Sequence, residues 1–379
     1  MKKILAGTTA LVAVAAVAGQ AQAADPIQIK IGGFMEQWVG FADSDDNNTA
    51  NSEYASIRQS SDNEIYFRGS TTLDNGLKVY VVFDKEADRS ASGFDDVYME
   101  IESATAGELR LGGTKGYGAK TYVMAPDVGI GAGDADDWID LNGIAWIERD
   151  NAGNDGQKIY YASPSFNGLT LGASYGTHTN AGTSGAVQLN QGATVTATPD
   201  AIGAGTTVTV TSVVEARKEI ETTFGVAYSG EFEGVGVDFG AGYIESKDEN
   251  NTSAIVDDEE EIHVGLGVSV AGFTISGGYT EIENYSLRKD RDAEVYDIGV
   301  AYATGPYSVS LSFTDSEVEA ADSELADEYE VIMASGAYDL GAGVTAKVSV
   351  FDVDATDVTS AADAENDGFG VVAGFRVDF

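Results

Sequence analysis

Between residues 116 and 150 the chain carries seven carboxylates: Asp127, Asp134, Asp136, Asp137, Asp140, Glu148 and Asp150. Acids crowded in this way can transfer protons, ligate a metal, or create a field that draws in cations. Proton transfer finds no partners. The two histidines, His178 and His263, stand far apart with no Ser/His/Asp order around them, and His263 reads as a solvated side chain. Metal ligation has little support. Asp43-Ser44-Asp45-Asp46-Asn47 opens like a calcium loop but lacks glycine at its sixth position and glutamate at its twelfth. Cysteine is absent, which removes thiolate nucleophiles, thiolate metal sites and disulfides. Gly129-x-Gly131-x-Gly133 lacks the strand–turn–helix setting of a phosphate-binding fingerprint. The residues therefore point to electrostatics rather than to a chemical step, with no cofactor expected and calcium at the acidic loops the one ion they would suit.

The charge of the whole chain agrees. It is -41, and becomes -43 if Lys2 and Lys3 are removed with a leader. Such a surface repels phosphates and excludes a nucleic-acid partner. Much of the acid lies in clusters at 43–46, 257–261, 315–330 and 352–367. The ordinary reading of such runs is a solvated surface. The sharper reading is divalent-cation binding beside anionic lipopolysaccharide, or cation enrichment at the mouth of a pore.

The elements that would position these charges are strands. Lys2 and Lys3 precede an apolar run over 4–18 and a small-x-small site at Ala21-Gln22-Ala23, the pattern of a cleaved signal peptide over 1–23. Residues 24–379 then form one domain. After the leader no apolar stretch approaches the length of a membrane-spanning helix. Alternating apolar and polar residues instead recur in about sixteen segments, from 27–42 to 367–379, each near the length of a tilted membrane strand. Short connections such as Asp74-Asn75-Gly76, Glu233-Gly234 and Ala271-Gly272 have hairpin chemistry. Between them, in strict turn, fall long polar ones at 43–62, 87–93, 116–155, 179–217, 247–260, 284–292, 318–326 and 355–366. This predicts an all-β fold: a transmembrane, antiparallel, up-and-down barrel of about sixteen strands. A weak alternation inside 179–217 suggests a further hairpin within that loop.

Register separates a lipid face from a wet one. Ile65, Phe67, Thr71 and Leu73 share a face opposite Glu64, Tyr66, Arg68 and Ser70. Tyr307, Val309, Leu311 and Phe313 oppose Ser308, Ser310, Ser312 and Thr314. A dry core could not hold so many unpaired polar groups, so the polar face looks into water. Lys30, Arg68, Lys78 and Arg110 take the polar register on neighbouring strands and should gather on one arc of the lumen wall. The alternative is that they pair locally with Glu64, Glu100 or Glu108. In the first strand Phe34 and Trp38 fall in the register of Lys30 after Gly32-Gly33, which suggests a bulge there. The last strand sets Phe375, Val377 and Phe379 against Gly374, Arg376 and Asp378.

The leader, the opening Ile29-Lys30-Ile31-Gly32-Gly33-Phe34, the Leu109-Arg110-Leu111-Gly112-Gly113 strand before a long connection, and the terminal Phe379 resemble the general diffusion porins of Gram-negative outer membranes. The likeness to the branch found in purple bacteria spans the whole mature chain. It implies sixteen strands, a homotrimer, and a third loop (116–155) folded into the lumen to narrow it. Pro126-Asp127-Val128-Gly129 is similar to the turn such loops carry at the constriction, with Asp in place of the commoner Glu. On this likeness Asp127, Asp134, Asp136, Asp137, Asp140 and Glu148 form the acidic side of a constriction and Lys30, Arg68, Lys78 and Arg110 its basic wall. The loop's alternative role is that of an outer loop with a small core of its own. The terminal Phe375, Val377 and Phe379 would be the signal read by the barrel-assembly machinery, with outer-membrane lipid and lipopolysaccharide as surroundings. The expected function is passive diffusion of ions and small hydrophilic solutes, with a cation preference set by the excess of acid. The alternatives are a substrate-specific channel, or a non-channel barrel with adhesive, cation-binding loops.

Overall fold

The structure is a computed structural model that describes residues 26–44, 57–87, 94–139, 141, 144–150, 155–177, 186–197, 206–249, 253–320, 325–357 and 364–379. The expected leader at 1–23, Asp45 to Asn47, Asp140 and His178 lie outside the described residues. The strands run β1 Lys30–Ser44, β2 Ile57–Thr72, β3 Lys78–Glu86, β4 Val97–Ser103, β5 Gly107–Gly113, β6 Gln157–Ala162 and β7 Leu169–Thr177. β8 Ala186–Ala197 and β9 Thr206–Arg217 pair only with each other, which places the weakly alternating segment in a hairpin of its own. The wall resumes with β10 Ile220–Phe232, β11 Val235–Lys247, β12 Glu259–Val270, β13 Phe273–Glu283 and β14 Ala293–Thr304. It ends with β15 Tyr307–Glu319, β16 Ala326–Gly341, β17 Val344–Asp357, the two-residue β18 Ala364–Glu365, and β19 Gly368–Asp378.

Each wall strand pairs antiparallel with the next wall strand, β7 with β10 across the separate hairpin, and β1 pairs with β19 from Phe34↔Asp378 to Ser44↔Gly368. The sheet closes on itself as a barrel of sixteen long strands, which leaves no unpaired edge in the membrane. The seam is completed by two backbone bonds of 3.0 Å between Gly33 and Phe379, the N–H of each donating to the carbonyl of the other. Tight turns carry the residues their geometry demands: at Glu233-Gly234 and Ala271-Gly272 both residues have positive φ, as a twisted two-residue hairpin requires.

The two faces differ as the alternation predicts. Outward side chains are apolar and exposed, among them Ile31, Ile262, Ile275, Ile298 and Leu311. In water such a band would drive aggregation; in hydrocarbon it is at no disadvantage. Aromatic rings gather towards both rims, with Phe273 and Tyr302 at 4.4 Å and Tyr307 and Tyr338 at 4.9 Å near the short turns. Towards the long loops Tyr279 lies opposite Tyr296 across β13 and β14. Beyond them the outward face turns acidic, pairing Glu281 with Glu294, Glu294 with Glu317, and Glu317 with Glu328. That belt marks the upper limit of the hydrocarbon zone, since carboxylates so opposed need water or counterions.

The expected bulge at Gly32-Gly33 is absent. The β1–β2 register runs without a shift from Lys30↔Arg68 to Phe41↔Ile57. Phe34 and Trp38 are buried on the inner face because that face is not wholly wet. Trp38 packs with residues of the connection after β5, and Phe34 lies under the Arg376 guanidinium at 3.8 Å.

Candidate functional site

The connection between β5 and β6, the third loop, occupies the barrel interior. Its backbone is fixed by inward hydroxyls from many strands. Tyr117 N–H donates to Ser174 Oγ of β7 (3.3 Å), Gly118 N–H to Thr223 Oγ1 of β10 (2.9 Å), and Val128 N–H to Ser310 Oγ of β15 (3.1 Å). Ile130 N–H donates to Ser349 Oγ of β17 (3.1 Å), and Ser276 of β13 donates to the Met124 carbonyl at 2.7 Å. On the return, Ala145 N–H reaches Asp327 Oδ2 (3.1 Å) and Ile147 N–H reaches Ser316 Oγ (2.9 Å). A loop away from bulk water must satisfy its amides somewhere, and the polar register of the strands supplies the acceptors.

Apolar contacts hold it as well. Ile130, Trp138, Ile139, Leu141 and Ile144 pack with Trp38, Tyr329, Val331, Met333 and Phe351 of the wall. Ile147 packs with Ile282, Val295 and Val318. Each fully buried aliphatic side chain stabilises the seat by about 1.5–3 kcal/mol. At two places the loop lies directly on strand backbone. A Cβ at Gly240 would stand 1.7 Å from the Thr121 carbonyl oxygen, and one at Gly265 would stand 2.5 Å from that of Val123.

Two polar contacts lock the seat. Arg149 is buried and donates from Nη1 to Asp297 Oδ1 of β14 (2.6 Å) and to the Val123 carbonyl (2.9 Å). His263 of β12 is 1% exposed, which corrects its reading as a solvated side chain. Its ring stacks on Tyr122 at 3.7 Å, its Nε2 lies 2.9 Å from Thr121 Oγ1, and its Nδ1 lies 3.1 Å from Glu261. Tyr122 also donates to Glu261.

The loop acids divide into two sets. Asp127 accepts from Gly129 N–H at 2.5 Å, Ser312 Oγ at 3.2 Å and Ser335 Oγ at 3.4 Å, so it anchors the Pro126 turn to β15 and β16. Asp134, Asp136, Asp137 and Glu148 lie close enough to act on one another, and none makes an ion pair among the described residues. Asp137 accepts from Ser60 Oγ of β2 at 2.8 Å. Asp134 and Glu148 touch the lumen, yet the surrounding barrel withholds much of the solvation of bulk water. That enclosure, with Asp137 and Glu148 adding like charge, pushes the Asp134 carboxyl up to about 7. Enclosure and Asp137 push Asp136 up to about 6, and enclosure with Asp150 and Asp136 pushes Glu148 up to about 7.

The bases on β1, β2, β3 and β5 are more dispersed. Arg68 is paired with Asp84 across β2 and β3, its Nε 2.9 Å from Oδ1, yet its side chain remains 53% exposed. Lys78 sits beside the short turn before β3 and pairs with Glu102 at 3.2 Å. Arg110 is held by Glu100 at 2.9 Å and by Glu108, between the rings of Tyr98 and Tyr160 at 4.7 and 4.9 Å. Lys30 is exposed at the start of β1. Lys120 and Arg149, both on the third loop, escaped the sequence reading, which sought bases only on strands. Glu36, Lys347 and Arg376 were legible from the inward register. Glu36 receives Lys347 at 2.7 Å and Arg376 at 3.1 Å, and Lys347 also reaches the Gly129 carbonyl at 3.3 Å. Phe375, Val377 and Phe379 are exposed on the outer face.

A closed barrel with a lipid face, a polar interior and a loop seated across its lumen is the architecture of a membrane diffusion channel. The sequence matches the family model for Gram-negative porins over residues 7–377, and the chain belongs to that family. Among solved structures it is similar to an anion-selective porin from Comamonas acidovorans, at 16% identity and a TM-score of 0.60, covering 93% of this chain and 100% of that one. It is similar to the trimer form of OmpT from Vibrio cholerae at 11% identity and a TM-score of 0.59, covering 94% and 100%. OmpF of Salmonella typhi, solved with daunomycin, gives 13% identity and 0.59 over 91% and 97%. Comparison with curated proteins gives no match. The protein is an outer-membrane channel for diffusion of small solutes, and it performs no chemical reaction.

Proposed function

We propose that the channel is water-filled, prefers cations, and is narrowed by the third loop, with Asp134, Asp136, Asp137 and Glu148 as the acidic side of the constriction. The supporting observation is that these four carboxylates crowd together in the interior and, among the described residues, none makes an ion pair. Asp127 contributes charge from its anchored turn, and Asp140 belongs to the same set by sequence. Lys30, Arg68, Lys78 and Arg110 form the basic wall, in which Lys30 and Arg68 offer exposed charge. Fixed charges inside low-dielectric walls focus a field across the gap, and water and permeant ions order along it. The trimer form of OmpT supports a homotrimer here. Its outer surface would meet lipid and lipopolysaccharide, and Phe375, Val377 and Phe379 would present the terminal strand to the barrel-assembly machinery.

The titration of the cluster tests this reading. Carboxyls that ionise near 6 to 7 carry their charge above that range and lose it below. Reversal potentials in a potassium chloride gradient should show a cation preference at roughly pH 8 that declines steeply towards roughly pH 5, with a midpoint about two units or more above where free carboxylates titrate. A preference for anions at the higher pH, or a profile flat across the range, would refute the assignment.

A further inference from the structure

The fourth long connection departs in composition from the rest of the outer rim. From 179 to 214 the chain carries a single charged residue, Asp200, although charged residues make up 22% of the whole. The shorter connections are acidic, with five carboxylates in 43–62 and six in 247–260. β8 and β9, twelve residues each, pair in register from Ala186↔Arg217 to Ala197↔Thr206 and with no wall strand. Alternate register positions sort this ribbon by polarity. One face pairs Leu189 with Val214, Ala193 with Val210 and Val195 with Val208. The other pairs Gln188 with Glu215, Thr194 with Thr209 and Thr196 with Thr207. A two-stranded ribbon is marginal in water unless its apolar face is covered.

The charge of the chain restricts what can cover it. The acidic loops are poor cover, because their carboxylates would lose water against an apolar face. Two copies of the protein, each with a formal charge of -41, repel one another wherever their acidic loops meet. The ribbon offers a face of matching length and pattern with no charge to desolvate. At about 40 Å long it exceeds the screening length of physiological salt several times over, so two ribbons can meet while the acidic rims stay apart. We propose that the apolar face of the β8–β9 ribbon packs on the same face of a ribbon from another trimer, so that the protein associates with itself through this loop. A face packed on its own copy makes a two-fold contact, which the three-fold axis of one trimer does not supply. One pair of faces, each roughly 40 by 10 Å, buries about 800 Å² in all, less than a stable interface commonly needs. A trimer carries three ribbons, and its contacts reinforce one another. The inference rests on the homotrimer proposed above and is independent of the ion preference.

The test holds the whole protein in detergent-free lipid nanodiscs, one trimer to a disc, with a chelator to remove divalent bridges between acidic loops. Sedimentation should show discs associating with one another as concentration rises. The double variant Val195→Glu, Val208→Glu should weaken that association about tenfold or more, since each new carboxylate loses water in the contact. Thr194→Glu, Thr209→Glu adds the same charge to the other face and should leave association near that of the parent. Conductance in planar bilayers reports that each variant has folded. Because the chain has no cysteine, Val208→Cys and Thr209→Cys place one thiol on either face. Mild oxidation should link copies of Val208→Cys between discs at least about tenfold faster than copies of Thr209→Cys. Equal weakening by the two double variants, or equal linking at the two thiols, would overturn the docking face. Links confined to a single disc would overturn the partner assigned to it. Discs that hold trimers but stay single defeat this inference alone. A folded protein that proves monomeric defeats the homotrimer beneath it.

Discussion

Arg149→Gln should free the returning arm of the third loop while leaving the barrel wall intact. Arg149 and Asp297 have side-chain exposures of 0% and 4%, and the guanidinium also serves the Val123 carbonyl. Removing one member of a buried pair strands the other charge, at a cost of about 3–5 kcal/mol. Asp297 would keep Gly278 N–H at 3.0 Å but lose its cation. The sixteen long strands are joined to one another by their own backbone bonds, so the loss falls on the loop. Single-channel records should show large added current noise and frequent closures, and protease should reach the loop in folded protein. Adding Asp297→Asn should recover part of the effect, because the stranded carboxylate is then gone. A variant as quiet and as protease-resistant as the parent would show that the loop does not depend on this pair.

Gly240→Val should shrink the pore without removing any charge. The inner face of β11 meets the loop backbone at Gly240, where even a Cβ would stand 1.7 Å from the Thr121 oxygen. Neither partner can yield easily. The Thr121 segment is tied by the Gly118 amide to Thr223 and by Thr121 itself to His263. Gly240 is fixed in the ladder with Ala227 and Gly265. The loop must therefore lift into the lumen, and conductance should fall severalfold with the sign of the ion preference kept. Gly236→Val, on the same strand, has a Cβ that meets mainly the far end of the Ser269 side chain and serves as the control. Equal conductance of the Gly240→Val and Gly236→Val proteins would contradict the close seating of the loop.

Much of this architecture could be read from residues alone because a membrane barrel obeys a strict code. Period-two alternation set the wall. The Gly-containing turns marked one rim, and long polar connections marked the other. The boundaries agree within a few residues, and the main extension is β2, which begins at Ile57 because Arg58 to Asp62 continue the ladder with β1. What alternation could not show was how the loop meets the wall. It assigned the inner face to water, yet Trp38 and His263 are buried there by loop residues distant in sequence, and Phe34 is buried under Arg376 of β19. The acids of the third loop were all visible, but only contacts distinguish Asp127, which is consumed by a turn, from Asp134, which is not. The bases were harder. Register placed Arg110 on the inner face, but its enclosure between Glu100, Glu108 and two tyrosines depends on strands β4 and β6 as well as its own. Lys120 could be found only once the loop was seen to enter the barrel, where Lys120 lines the same cavity as Lys30.

The account depends on a hollow interior with third-loop carboxylates in the path of the current. Because the chain contains no cysteine, single thiols can be introduced without background. Conductance before and after treatment with a bulky, water-soluble, positively charged thiol reagent compares Asp134→Cys with Leu311→Cys, whose side chain faces lipid. The structure predicts a sharp loss of current and of cation preference for Asp134→Cys and none for Leu311→Cys. Unchanged current through a fully modified Asp134→Cys protein would place that loop outside the conduction path and contradict the account.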